Sequence, residues 1–192
     1  MTDFNILVNK NHPLPKNYKL QNLVPVPDTY DFNHGVKIPT KIHSVVYDKF
    51  IELCELSGMN LVINSGYRSP IGQAIIGMEL IAANGLEMRK KIAKPGTSEH
   101  HTGLAIDIYK IVDGKIEELT DEDAWELFRI SVENNLGFIY RYPKEKEKIT
   151  GIPNEPWHMR YIDPSVAKIL YDHNIVLEEY HKNPENYGPI SK

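Results

Sequence analysis

The chain has 192 residues, enough for one domain with a full core, and its 41% hydrophobic and 25% charged content is that of an ordinary soluble globular protein. A net charge of -4 with no basic block argues against nucleic acid as the main partner. The single cysteine, Cys54, rules out an internal disulfide, and no stretch approaches the roughly 20 apolar residues of a membrane helix.

The N-terminus MTDFNILVNKNHPL has neither a basic start followed by an apolar run nor a small-residue cleavage site, so a soluble cytoplasmic chain is expected. Residues 1–38, rich in Pro, Asn and Asp, read as an extended arm over the domain. His12 and His34 in this arm lack partners at metal-ligand spacing and read as loop histidines. Ile42, Val46, Phe50 and Leu53 recur at helical spacing, which predicts a helix over 40–57 closed by Gly58. His43 falls off that stripe and is expected to face solvent, while Cys54 reads as a core thiol.

Residues 61–64 read as a short strand. SGYRSP then turns it into a helix with Ser69 as N-cap and Pro70 as first residue. Arg68 therefore sits at a strand end, where side chains project into clefts. The Met and Ile content of 75–82 reads as core packing.

The stretch SEHHTGLAID, residues 98–107, holds the chemistry. A strand over 104–109 would put Leu104, Ile106 and Ile108 on one face and Ala105, Asp107 and Tyr109 on the other, with Gly103 at the turn that brings His100 back toward Asp107. Asp113-Gly114 then signals a hairpin, and Thr120 with Asp123 a capped helix ending near Asn135. The acidic run Glu117 to Asp123 reads as a solvated helix start rather than a calcium loop. GFIYRYP reads as a further strand, and KEKEK as a charged exposed turn at 144–148.

In NEPWHMRY, residues 154–161, Trp157, Met159 and Tyr161 alternate with His158 and Arg160, again strand-like. His158 completes a His, Asp, His set that would leave tetrahedral zinc one open position, the arrangement of a catalytic site. Pro153 and Pro156 break the strand before Trp157, so Glu155 should approach from a turn as the base beside the metal. Asp163 and Pro164 open another helix, and LEEYHK is a short helical candidate in the tail over 176–192. His173 and His181 read as surface or packing residues.

SEHHTGLAID followed by EPWHMRY resembles the pattern SxHxxGxAxD with ExxH of the VanY-type zinc D-Ala-D-Ala carboxypeptidases, whose relatives include LdcB-type L,D-carboxypeptidases, VanX dipeptidases, bifunctional VanXY enzymes and the hedgehog signalling domain. LVNKNHPLP, SGYRSPIGQ and GFIYRYPKEKEKITGI extend the similarity over residues 7–163. The resemblance implies an α+β domain: a small antiparallel sheet carrying the ligands, with helices on its far face. It implies one zinc ion per chain on His100, Asp107 and His158, with His101 excluded because His100 holds the motif position. It implies Glu155 as general base and Arg68 as the donor to the tetrahedral oxyanion, with Ser98 and Gln73 contacting the terminal residue of the substrate; Tyr142 and Arg141 are further candidates. Trp157 and Met159 should pack beneath the site. The implied activity is removal of a C-terminal D-alanine from peptidoglycan precursors or stem peptides. A D,D-dipeptidase, a VanXY-like bifunctional enzyme, an L,D-carboxypeptidase and a non-catalytic zinc module are the alternatives.

Overall fold

The period-two alternation of the central motif is realised as a long strand, and the other elements assemble around it. The computed structural model describes residues 2–27, 30–31, 36–37, 39–87 and 92–187; His34 lies outside them. In chain order the strands are β1 (Leu23–Val26), β2 (Tyr30–Asp31), β3 (Val36–Lys37), β4 (Thr40–His43), β5 (Leu61–Ser65), β6 (Ala105–Val112), β7 (Lys115–Glu118), β8 (Phe138–Tyr140) and β9 (His158–Tyr161). The helices are α1 (Ser44–Ser57), α2 (Pro70–Asn84), α3 (Asp121–Glu133), α4 (Glu147–Thr150), α5 (Pro164–Asp172) and α6 (Leu177–Lys182). None of the described helices is long and apolar enough to cross a membrane.

The main sheet is antiparallel, in the order β5-β6-β9-β8, with β7 pairing the distal half of β6. Asp113 and Gly114, both at positive φ (50° and 76°), make the tight turn between β6 and β7, the backbone that the Asp-Gly pair favours. Leu104, Ile106 and Ile108 are fully buried with Ile63, Met159 and Phe138, against Val46, Phe50 and Leu53 of α1 and Leu127 and Ile130 of α3. Asp107 and His158 leave that apolar layer by strand parity, directly paired across β6 and β9. A second apolar cluster joins α3, β8, α5 and α6 through Phe128, Ile139, Val166, Leu170 and Leu177. The expected α+β architecture is the one found.

Local signals are realised at the helix starts. Ser69 Oγ accepts from Gly72 N at 3.0 Å with Pro70 as first residue, Thr120 and Asp123 form a reciprocal capping box, and Asp163 caps α5 through Ser165 N. The arm is anchored as well: Arg160 Nη2 donates to the carbonyls of Phe4 and Ile6 at 3.0 and 3.1 Å, and β1 zips onto β4.

Three expectations fail. Residues 40–43 are strand, because β1 supplies a pairing partner that the helical spacing of Ile42 and Val46 did not register. His43 is buried rather than solvent-facing: it is the N-cap of α1, its Nδ1 accepting from Val45 N at 3.2 Å, and its ring lies edge-on to Phe4. The apolar residues of α2 are not core; Ile71, Ile75 and Met78 are exposed and only Gln73 is buried, since α2 lies along the rim of a cleft instead of on the sheet. KEKEK is exposed as expected, in a helical turn whose Lys146 pairs with Glu179 at 3.0 Å.

Candidate active site

A single 3-10 turn, Glu99–Thr102, delivers the first histidine to the head of β6, and Gly103 (φ 73°) reverses the chain into the strand. His100 Nε2 lies 3.2 Å from Asp107 Oδ2, and His158 Nδ1 lies 3.1 Å from Asp107 Oδ1. One donor atom from each of His100, Asp107 and His158 falls within 4.8 Å of the others, and all three residues are buried. The two rings stand edge-on, 5.0 Å apart.

The outer ring nitrogens decide what the inner ones can do. His100 Nδ1 donates to the Gly66 carbonyl at 2.7 Å, which leaves Nε2 with its lone pair toward Asp107. His158 Nε2 faces Glu99 Oε2 at 3.3 Å, leaving Nδ1 toward Asp107. Burial would raise the Glu99 carboxyl, but Arg141 and then Arg160 hold it well below the usual carboxylate range. Asp107 is likewise held low against its burial, chiefly by His100. Burial disfavours charge on His158, yet its bonds to Asp107 and Glu99 outweigh this and raise it to about 9. Two imidazole nitrogens and one carboxylate, each ring held from outside by an acceptor, make a donor set that fits zinc with one position open.

Glu155 enters from the turn between Pro153 and Pro156, its backbone N–H donating to the Tyr142 carbonyl at 3.2 Å and its carbonyl accepting from His158 N at 3.1 Å. Burial pushes its carboxyl up to about 7. Arg68 comes from the other side. A register shift between Ile63 and Ser65 sets Ser65 opposite Asp107, and Ser65 Oγ accepts from Arg68 Nη2 at 2.9 Å. The same Nη2 is 3.8 Å from Asp107 Oδ2. Arg68, Glu155, Ser98, Tyr142 and the cluster line one cleft of about 750 Å³, with Ile76, Leu80 and Ile92 along its apolar side.

Gln73 lines the cleft, His101 stays outside the cluster as expected, and Arg141 alone among the candidates lies away from the cleft. The Gln73 amide is engaged at both ends by the protein itself, accepting from Arg68 Nη1 and donating to the Ala93 carbonyl, each at 2.9 Å. Arg141 does not reach the cleft: it is fully buried and its donors are taken by Glu99 and Glu178. His101 is outside the cluster, Nδ1 donating to the Arg68 carbonyl at 2.6 Å and Nε2 accepting from Gly96 N at 2.9 Å. Trp157 lines the cleft, while Met159 packs in the core on the opposite sheet face. Glu99, Ser65 and Gly66 were missed, although the first sits inside the central motif; the available signal was an acidic residue directly beside a ligand histidine.

A metal-ligand trio, a carboxylate raised toward neutrality and a guanidinium converging on one cleft define a site of the metal-dependent hydrolase class. The chain belongs to the VanY D-alanyl-D-alanine carboxypeptidase family, which it matches over residues 40–164. It is 38% identical over 186 residues to YodJ of Bacillus subtilis (strain 168), covering 91% of this chain and 65% of that protein. It is 35% identical over 180 residues to the bifunctional D-Ala-D-Ala dipeptidase and carboxypeptidase VanXYC of Enterococcus gallinarum, covering 91% and 92% of the two chains. The chain thus spans slightly under two thirds of YodJ and nearly all of VanXYC. Among solved structures, the LdcB LD-carboxypeptidase superposes with a TM-score of 0.74 at 34% identity, covering 92% of this chain and 84% of that one. A VanY D,D-pentapeptidase variant from a VanB-type resistance cassette, in complex with Zn(II), superposes with a TM-score of 0.73 at 32% identity, covering 93% and 98%.

Proposed function

We propose that this protein is a zinc metallopeptidase with one zinc per chain, held by His100, Asp107 and His158, that removes the C-terminal D-alanine from peptidoglycan precursors or stem peptides. The observation that carries this reading is the convergence of the ligand trio, Glu155 and Arg68 on one cleft. Zinc, when bound, supplies Lewis acidity and lowers the pKa of water in the site toward about 7. Glu155 takes the proton of the attacking water and returns it to the amine as the peptide C–N bond breaks, a double duty for which burial, raising the carboxyl, and zinc, lowering it, act in opposite directions. Arg68 faces the charge that develops on the carbonyl oxygen, aimed by Ser65 and Gln73. Ser98 and Tyr142 line the pocket for the terminal residue, and Gln73 acts on substrate through Arg68.

The match to the D-alanyl-D-alanine carboxypeptidase family favours carboxypeptidase over strict dipeptidase action. Bifunctional action is the second reading, supported by the end-to-end match with VanXYC. A non-catalytic zinc module is disfavoured because Glu155 and Arg68 are both at the cluster. Incubating zinc-loaded protein with D-Ala-D-Ala, a D-Ala-D-Ala-terminated pentapeptide and the corresponding tetrapeptide, with products identified by mass, tests the proposal. D-alanine release from the pentapeptide is expected; cleavage of the tetrapeptide alone would reassign the enzyme as an L,D-carboxypeptidase, and no cleavage of any would overturn the reading.

A further inference from the structure

Behind the ligand cluster lies a buried charge chain that touches it through Glu99 alone. Glu99, Arg141 and Arg160 have side chains with no exposure, and Glu178 closes the group from the C-terminal helix α6 with a side chain 12% exposed. Glu99 Oε1 accepts from Arg141 Nε at 2.8 Å and lies 3.4 Å from Arg160 Nη1, while Oε2 faces His158 Nε2. Arg141 Nη1 and Nη2 form a two-pronged bond to Glu178 at 2.8 and 2.7 Å, and Asn9 of the arm donates to the same carboxylate at 3.1 Å. The arm also holds Arg160 through the carbonyls of Phe4 and Ile6. The family match runs from residue 40 to 164, so Glu178 and these arm residues lie outside it.

We propose that Glu99 is a positioning residue for the metal site, fixing His158 as the Nε2-protonated tautomer that presents Nδ1 to the metal, and that α6 sets Glu99 in place through Glu178 and Arg141. The inference rests on the reading of His158 as a zinc ligand. Its logic is that an ionised carboxylate only accepts hydrogen bonds, so Asp107 at Nδ1 and Glu99 at Nε2 each hold a hydrogen of the metal-free ring; a metal ion held beside Asp107 would replace the hydrogen at Nδ1, and the one that remains is the one Glu99 keeps at Nε2. The chain is balanced, two carboxylates against two guanidinium groups. Without Glu178 the whole of Arg141 turns on Glu99 and competes with His158 for it. The segments flanking the matched region are therefore part of the metal site's construction.

The test is zinc affinity by competition with a chromophoric chelator for wild type, H158A, E99Q and E178Q, together with 15N spectra of histidine-labelled, zinc-loaded wild type. H158A serves to assign the His158 signals. Expected are loss of tight binding in H158A, a weakening of about 10–100-fold in E99Q, the usual scale for a group that orients a ligand, and a smaller weakening in E178Q. The His158 ring should be protonated at Nε2 and metal-bound at Nδ1. Wild-type zinc affinity in E99Q and E178Q with loss in H158A would overturn this inference and leave the zinc assignment standing; full affinity in H158A would overturn both. A lowered melting temperature of the metal-free variants with unchanged zinc affinity would make Glu99 a merely structural residue. Should E99Q fail to fold, E178Q and the wild-type spectrum decide, and a ring protonated at Nδ1 sinks the proposal.

Discussion

Gln73 Oε1 accepts a hydrogen bond from Arg68 Nη1 at 2.9 Å, and the other end of its amide is tied to the Ala93 carbonyl at the same distance, so Gln73 is a strut between the guanidinium and the cleft wall. If Arg68 stabilises the developing oxyanion, R68A should lower kcat by about 10²–10³-fold, the scale for losing one such donor. Q73A should lower kcat in the same direction by less, because Ser65 still holds the other arm of the fork. Both variants should bind zinc as wild type does in chelator competition. A Q73A enzyme with raised KM and intact kcat would instead make Gln73 a direct substrate contact.

Glu155 sits among the ligands without being one of them, which separates binding from turnover. E155Q keeps the shape and removes the proposed base. It should hold zinc with near-native affinity and lose about 10²–10⁴-fold in turnover of the pentapeptide substrate. Single-turnover D-alanine release, followed by mass, measures this directly, and a wild-type rate would require another base.

The ligand cluster was legible because its information is local: strand parity puts Asp107 and His158 opposite an apolar face, and two prolines force Glu155 into a turn. Helix starts were legible for the same reason, since Ser69, Thr120 and Asp163 act within three residues of themselves. What escaped depends on partners distant in the chain. Arg141 was a candidate for the cleft from its place in FIYRYP, yet Glu99 and Glu178, 42 and 37 residues away, draw it inward. His43 looked exposed because helical spacing was extended through residues that β1 pairs as strand. The apolar residues of α2 carry no mark telling a cleft rim from a core, because periodicity reports a face without saying what covers it.

The Arg141–Glu178 pair predicts an acid-sensitive contribution to stability. Burial would raise the Glu178 carboxyl, but the Arg141 charge and hydrogen bonds outweigh it and hold the group below its ordinary value. A folded-state pKa depressed in this way contributes stability that is full above the unfolded value of about 4.3 and is lost as pH falls through the folded value. E178Q should therefore destabilise the protein by up to about 3–5 kcal/mol near neutral pH, and the gap to wild type should close in acid. Urea denaturation of both proteins at pH 7 and at pH 3 checks it. A gap that stayed constant across that range would mean the pair acts through packing and not through charge.

Gly66 carries the last prediction, because its backbone serves the metal site while its missing side chain makes room for a neighbouring strand. Its carbonyl accepts from His100 Nδ1 at 2.7 Å, and the next residue, Tyr67, donates its N–H to the Lys41 carbonyl at 2.6 Å. A Cβ at Gly66 would stand 2.5 Å from Ile42 Cγ2 and 2.7 Å from the Lys41 carbonyl oxygen. The β4 backbone is zipped to β1 and cannot retreat, so the added methyl must move the 65–67 segment and with it the carbonyl that orients His100. G66A should cost about 1–3 kcal/mol in urea denaturation, the scale of overpacking, and should weaken zinc binding as well. G77A is the matched control: that position is in α2, its added Cβ would come no nearer than 3.8 Å to Ile92, and replacing a helical glycine there should stabilise by about 0.4–1 kcal/mol without touching zinc affinity. If G66A lost stability but bound zinc as tightly as wild type, the His100 ring would owe its orientation to Asp107 and the metal, and the Gly66 carbonyl would be only its neighbour.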